Sequence, residues 1–97
     1  MPTYIAMSKW TQQGLKDIKE SPARLEVARK NFESAGVKLQ EFYMVMGHYD
    51  TITIMEAADD ASLAAALLKA ASLGSITTET CRAFTEDEYR QIISRLS

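Results

Sequence analysis

The chain is poor in the residues that make chemistry conspicuous. Its 97 residues include one cysteine, one histidine, one tryptophan, two prolines and four glycines. With Cys81 alone there is no intrachain disulfide, so the fold does not lean on oxidation. One histidine and one cysteine, without a ligand-spaced cluster, give no metal site. There is no glycine-rich phosphate loop and no nucleophile elbow, and no cofactor is expected. Charge of one sign is lacking too. Eleven Lys and Arg against 13 Asp and Glu leave a net charge of −2, which argues against a nucleic-acid partner, because phosphate neutralisation needs a basic face. No apolar stretch approaches a membrane span. The opening Met1-Pro2-Thr3-Tyr4 is not a basic segment followed by an apolar block, so the expected location is the cytoplasm.

What is present is ordinary globular material, 46% apolar and 25% charged, enough for a single domain over residues 1–97. Thr3 to Trp10 reads as a strand, with Tyr4, Ala6, Ser8 and Trp10 on one face and Thr3, Ile5, Met7 and Lys9 on the other. Thr11 can cap the helical run from Gln12 to Ala35, which Ser21-Pro22 interrupts. Leu25, Ala28, Phe32 and Ala35 form the buried stripe of the longer part. Val37 to Met46 is a second strand, in which Val37, Leu39, Tyr43 and Val45 alternate with Phe42, Met44 and Met46. Gly47-His48-Tyr49-Asp50 supplies turn material, and the β-branched run from Thr51 to Ala57 completes a hairpin folded tightly about it. Asp59 and Asp60 open another helix, with Leu63, Leu67, Ala70 and Ala71 inward. Ser75 to Phe84 is the fourth strand. Thr85 and Glu88 spell a capping box for a last helix with Tyr89, Ile92, Ile93 and Leu96 inward. The expected class is α+β: a ferredoxin-like βαββαβ sandwich with a four-stranded antiparallel sheet and an extra C-terminal helix.

The residues around the turn resemble the GYD-domain family, named for a Gly-x-Tyr-Asp signature, here Gly47-His48-Tyr49-Asp50. The resemblance continues through Pro2-Thr3-Tyr4-Ile5, through Thr11, Gly14, Lys19, Ser21, Pro22 and Arg24, and through Phe42-Tyr43. It extends to Glu56-Ala57 with Asp59-Asp60, Leu73-Gly74, Thr78, Thr80 and Ala83-Phe84. It implies a ferredoxin-like fold of the dimeric α/β-barrel type, in which two sheets pack face to face and a cavity is lined by sheet and helix residues. It implies no reaction, and His48, at the variable position, inherits no role from it. The sequence supports a homodimer or higher homo-oligomer separately. Both faces of the first two strands carry apolar groups, and helices can cover only one face of the sheet.

His48 beside Asp50 is a candidate general base, and a surface turn residue is the plainer account. Asp50 and Tyr49 have structural explanations, the first bonding backbone amides, the second packing its ring. Tyr4, Trp10, Tyr43, Tyr49 and Arg82 are the candidate ligand-binding residues: aromatic walls with a few polar atoms. Arg82 needs a carboxylate, with Glu41, Glu56, Glu79 or Asp50 as the expected partner, and would favour an anionic ligand. Three functions follow. One is a small-molecule-binding protein with its pocket between sheet and helices, for a small apolar or anionic ligand. Another is a cofactor-free oxygenase or isomerase acting on an apolar substrate through His48 and Asp50. The last is a structural or regulatory oligomerisation module without a ligand.

Overall fold

The structure, a computed structural model, describes residues 1–96. Strands β1 (Thr3–Trp10), β2 (Lys38–Met44), β3 (Thr51–Glu56) and β4 (Ile76–Ala83) form one antiparallel sheet in the order β2-β3-β1-β4. Helix α1 (Gln12–Lys16) and a 3-10 turn (Ile18–Glu20) lead into α2 (Ser21–Ser34); α3 (Asp60–Ser72) joins β3 to β4, and α4 (Glu86–Ser94) follows β4. This is the ferredoxin-like order with a terminal helix.

The local signals explain the boundaries. The Thr11 hydroxyl accepts the Gly14 amide at 3.1 Å and starts α1. Pro22 then sits in the first turn of α2, where its missing N–H costs nothing. The Asp59 carboxylate accepts the Ser62 amide at 2.8 Å at the head of α3. Thr85 and Glu88 close the capping box reciprocally, at 3.2 Å and 2.9 Å.

Directly paired residues share a face of the sheet, so the register defines rows across it. On the face covered by α2 and α3, one row runs Leu39–Met55–Tyr4–Arg82, the next Phe42–Thr53–Ala6–Thr80, the next Met44–Thr51–Ser8–Thr78. The apolar core sits at the first of these rows. Tyr4, Leu39 and Met55 bury there with Phe32, Val37, Ala57, Leu63 and Ala66. The opposite face carries Ile5, Met7, Ile52, Ile54 and Tyr43, and among the described residues no helix packs on it.

Three expectations need correction. Strict alternation puts Leu39 and Tyr43 on one face of the second strand, but a bulge between Leu39 and Glu41 changes the phase. Leu39, Phe42 and Met44 face the helices; Glu41 and Tyr43 face away. The hairpin is also wider than a tight four-residue turn. It spans Val45 to Asp50, closed by the Val45 amide on the Asp50 carbonyl at 2.8 Å, with Gly47 at φ +141°. Finally, the apolar side of α4 does not face inward. Tyr89, Ile92, Ile93 and Leu96 are all exposed, Leu96 to 76%. Helix α4, which follows edge strand β4, does not pack closely on the sheet as α2 and α3 do. The radius of gyration, 14.7 Å, accordingly exceeds the roughly 13 Å of a compact chain this long.

Candidate functional site

In the second row Ala6 still belongs to the core, with Phe42 packed against it, but Thr53, Thr51, Ser8 and Thr78 of the second and third rows do not. Between them and the helices lies a cavity of about 380 Å³. Its floor is the sheet: Ser8 on β1, Thr51 and Thr53 on β3, Thr78 on β4, arranged around Ala6. Its walls are aromatic and aliphatic, from Trp10, Phe32, Phe42, Leu25 and Leu67. Ala28 and Ala70 on α2 and α3 also line it, and their small side chains take up little of the space. The exposed Asp17, Glu20 and Val27 stand at its rim.

Among the described residues Arg24 is the one cationic residue that lines this cavity. Its guanidinium donates to the Asp17 carbonyl at 2.8 Å and the Gly14 carbonyl at 3.2 Å, which fixes it across the α1–α2 junction. Gly14 holds the same corner from below. A Cβ there would meet the Ser75 carbonyl oxygen at 2.2 Å, and Ser75 itself accepts the Thr11 amide at 3.0 Å. Neither Gly14 nor Ser75 stands out as a site residue from sequence pattern alone, because only a backbone-to-backbone approach makes them necessary.

A second, more open cavity of about 240 Å³ lies at the other end of the covered face, lined by Tyr4, Asp60, Leu67, Thr80 and Arg82 among others. The Tyr4 hydroxyl donates to the Asp60 carboxylate, and that bond holds the phenol above its ordinary pKa; burial adds to the effect. Arg82 stands over the rings of Phe84, at 4.5 Å, and Tyr4, at 5.7 Å. Its carboxylate partner is none of the expected four but Glu88 on α4, at 3.8 Å. The register explains this: Arg82 shares the helix-side row of Tyr4, whereas Glu41, Glu56 and Glu79 occupy rows of the opposite face.

The candidate residues are therefore distributed rather than gathered. Trp10 lines the larger cavity, and Tyr4 and Arg82 the smaller one. Tyr43 lies on the open face. Tyr49 crosses to that face as well: its hydroxyl donates to the Glu79 carboxylate, which raises the phenol pKa, and Lys9 stands 5.9 Å from its ring. His48 is exposed in the loop, edge-on to Tyr49 at 4.8 Å between ring centres. Asp50 accepts the Trp10 amide at 3.0 Å. Neither His48 nor Asp50 lines either cavity. Among the described residues no group of three or more His, Cys, Asp and Glu is placed to hold a metal ion, and no helix is long and apolar enough to cross a membrane.

Comparison with known proteins fits this architecture. A protein of Thermus thermophilus named glutamine synthetase and cystathionine beta-lyase binding protein is 37% identical over 84 residues, covering 86% of this chain and 88% of that one. Among solved structures, a feast or famine regulatory protein of Mycobacterium tuberculosis complexed with L-methionine superposes with a TM-score of 0.66 at 14% identity over 88% of this chain. The chain spans about half, 51%, of that protein's length. A solved structure from Thermus thermophilus gives a TM-score of 0.57 at 21% identity, covering 88% of this chain and 95% of that one. At such identities these two structures establish the shared fold alone. The GYD domain model matches residues 4–93, nearly the whole chain and all four strands, and the chain belongs to the GYD domain family.

Proposed function

We propose that this chain is a homo-oligomeric small-molecule-binding protein whose ligand enters the larger cavity between the sheet and α2 and α3. One observation carries the reading. Beyond the core row, the covered face of the sheet presents hydroxyl side chains to a space of about 380 Å³ with aromatic walls. That volume falls within the range of ligand pockets, roughly 300–1,000 Å³, and its mixture of apolar wall and few polar groups matches theirs. A purely structural module would be expected to fill this space, because a void in a core forfeits dispersion contacts.

The enzyme reading has less support: His48 and Asp50 lie outside the cavity, and Asp50 is occupied by the Trp10 amide. A protein-binding role has an observation of its own. The open sheet face and the outer side of α4 expose apolar groups, and the Thermus thermophilus relative is named for binding two enzymes. That role and ligand binding use different faces and are compatible.

Thermal-shift screening with small aromatic and carboxylate compounds tests the reading, since a ligand that binds only the folded state raises the midpoint. At least one compound is expected to raise the midpoint saturably in the wild type and not in Ala28→Phe, which fills the cavity from α2. A shift of equal size in both proteins places the ligand elsewhere and removes the cavity from the account.

A further inference from the structure

The register of the sheet says more about the ligand than the size of the cavity does. Ser8 pairs with Thr51 on one side and Thr78 on the other, so three hydroxyl-bearing side chains form a row across β3, β1 and β4. One row on, Ala6 is flanked by Thr53 and Thr80. With strands about 4.8 Å apart, the three-residue row spans roughly 10 Å. Ser8, Thr51 and Thr53 are buried residues, and with Thr78 they line the cavity. Thr80 Oγ1, which belongs to the smaller cavity, is sealed from solvent without a partner. Hydroxyls that line a cavity need water or a ligand as partner, because an unpaired buried hydroxyl costs free energy that a methyl group in its place would not.

The charges around the cavity point the same way. Asp17 and Glu20 stand at the rim, and Arg24 is already held by two backbone carbonyls. Two carboxylates against one engaged guanidinium disfavour an anion. The floor offers hydroxyls, which both donate and accept without carrying charge.

We infer that, resting on the proposal that this cavity binds a small molecule, the ligand is a flat, uncharged compound with a hydrogen-bonding edge laid on the Thr51–Ser8–Thr78 row and an aromatic or conjugated body against Trp10, Phe32 and Phe42. A carbonyl, hydroxyl or neutral amide edge satisfies the row. A hydrocarbon leaves it unpaired, and a carboxylate meets Asp17 and Glu20 on entry.

Calorimetric titration at neutral pH with naphthalene, 2-naphthol and 2-naphthoate separates the cases, because the three share one ring system. The expected result is that 2-naphthol binds at least tenfold more tightly than either of the others. In the double variant Thr51→Val, Thr78→Val, which keeps shape and β-branching, that advantage is expected to fall below threefold. Its melting temperature should not fall, since the replaced hydroxyls face the cavity and a methyl group keeps the shape; a marked fall would show that the hydroxyls serve the fold, and would overturn the inference. Equal binding of naphthalene and 2-naphthol to the wild type means that water alone satisfies the row and also overturns it, while leaving cavity binding intact. Preferred binding of 2-naphthoate overturns it in favour of an anionic ligand. If none of the three binds, the inference falls together with the cavity reading beneath it.

Discussion

Asp50 accepts the Trp10 amide at a point where the sheet has run out of partners. Strand β3 starts at Thr51, opposite Ser8, and the Asp50 amide still donates to the Ser8 carbonyl at 2.9 Å. Two residues further along β1, the Trp10 amide has no β3 carbonyl to meet and takes the Asp50 carboxylate instead. The aspartate of the signature therefore extends the ladder by one side-chain rung and anchors the loop beside the cavity wall. Asp50→Ala is expected to lower stability by about 1–2 kcal/mol in urea titration, and Asp50→Asn, which keeps an acceptor, by less than half of that. A role for aspartate in bonding backbone amides is legible in the sequence; that the amide lies 40 residues away is not. Gly14 is a harder case. Its sequence context marks a helix start, and nothing local says that Ser75 passes so close. Gly14→Ala must push two backbone segments apart, at a cost of about 1–3 kcal/mol. Since Gln13 and Ser75 both line the cavity, ligand-induced shifts in melting should shrink in the same variant.

At the scale of elements, capping was the most readable feature, because it needs only residues three apart. Asp59 and Glu88 are both held below their ordinary pKa, chiefly by backbone amides, those of Ser62 and Thr85. A depressed folded pKa means that each cap stabilises fully above the unfolded value, about pH 4, and loses its contribution as pH falls through the folded value. Melting temperatures measured from pH 6 to pH 3 should therefore decline at the acid end. Asp59→Asn keeps the cap but does not titrate, so its decline should be shallower than that of the wild type. What the sequence hides is phase. The bulge after Leu39 swaps Phe42 and Tyr43 between faces, and alternation offers no sign of it, since both faces of β2 carry large apolar groups. That swap places Phe42 in the cavity wall and Tyr43 on the open face. The direction of α4 is hidden for a similar reason: an amphipathic pattern says that a helix has an apolar side, not that its own chain supplies the cover.

The whole molecule carries two layers and an uncovered side. The βαββαβ order and the need for a covered and an open face follow from the pattern of the chain, and the cavity does not, because Thr and Ser in a strand read equally as surface. On the open face Ile5 pairs with Ile54 and Met7 with Ile52, with Tyr43, 52% exposed, alongside. Charged Lys9, Lys38, Glu56 and Glu79 surround them on the same face. Four strands of this length present roughly 400 Å² in projection, and side-chain relief raises the accessible area toward the roughly 800 Å² that each partner contributes to a stable interface. An apolar centre with a charged rim is what a symmetric contact between copies requires, and packing one sheet on another would bury all four central side chains at once. Ile54 lies at the middle of that face, so Ile54→Glu places a carboxylate where the interface would have to desolvate it, while the helix-side core is untouched. Sedimentation at micromolar concentration is expected to give at least two chains per particle for the wild type and one for Ile54→Glu, with the far-ultraviolet dichroism of both proteins alike. A wild-type particle of one chain would remove the oligomer, and would leave the open face and the outer side of α4 as surfaces for a different protein.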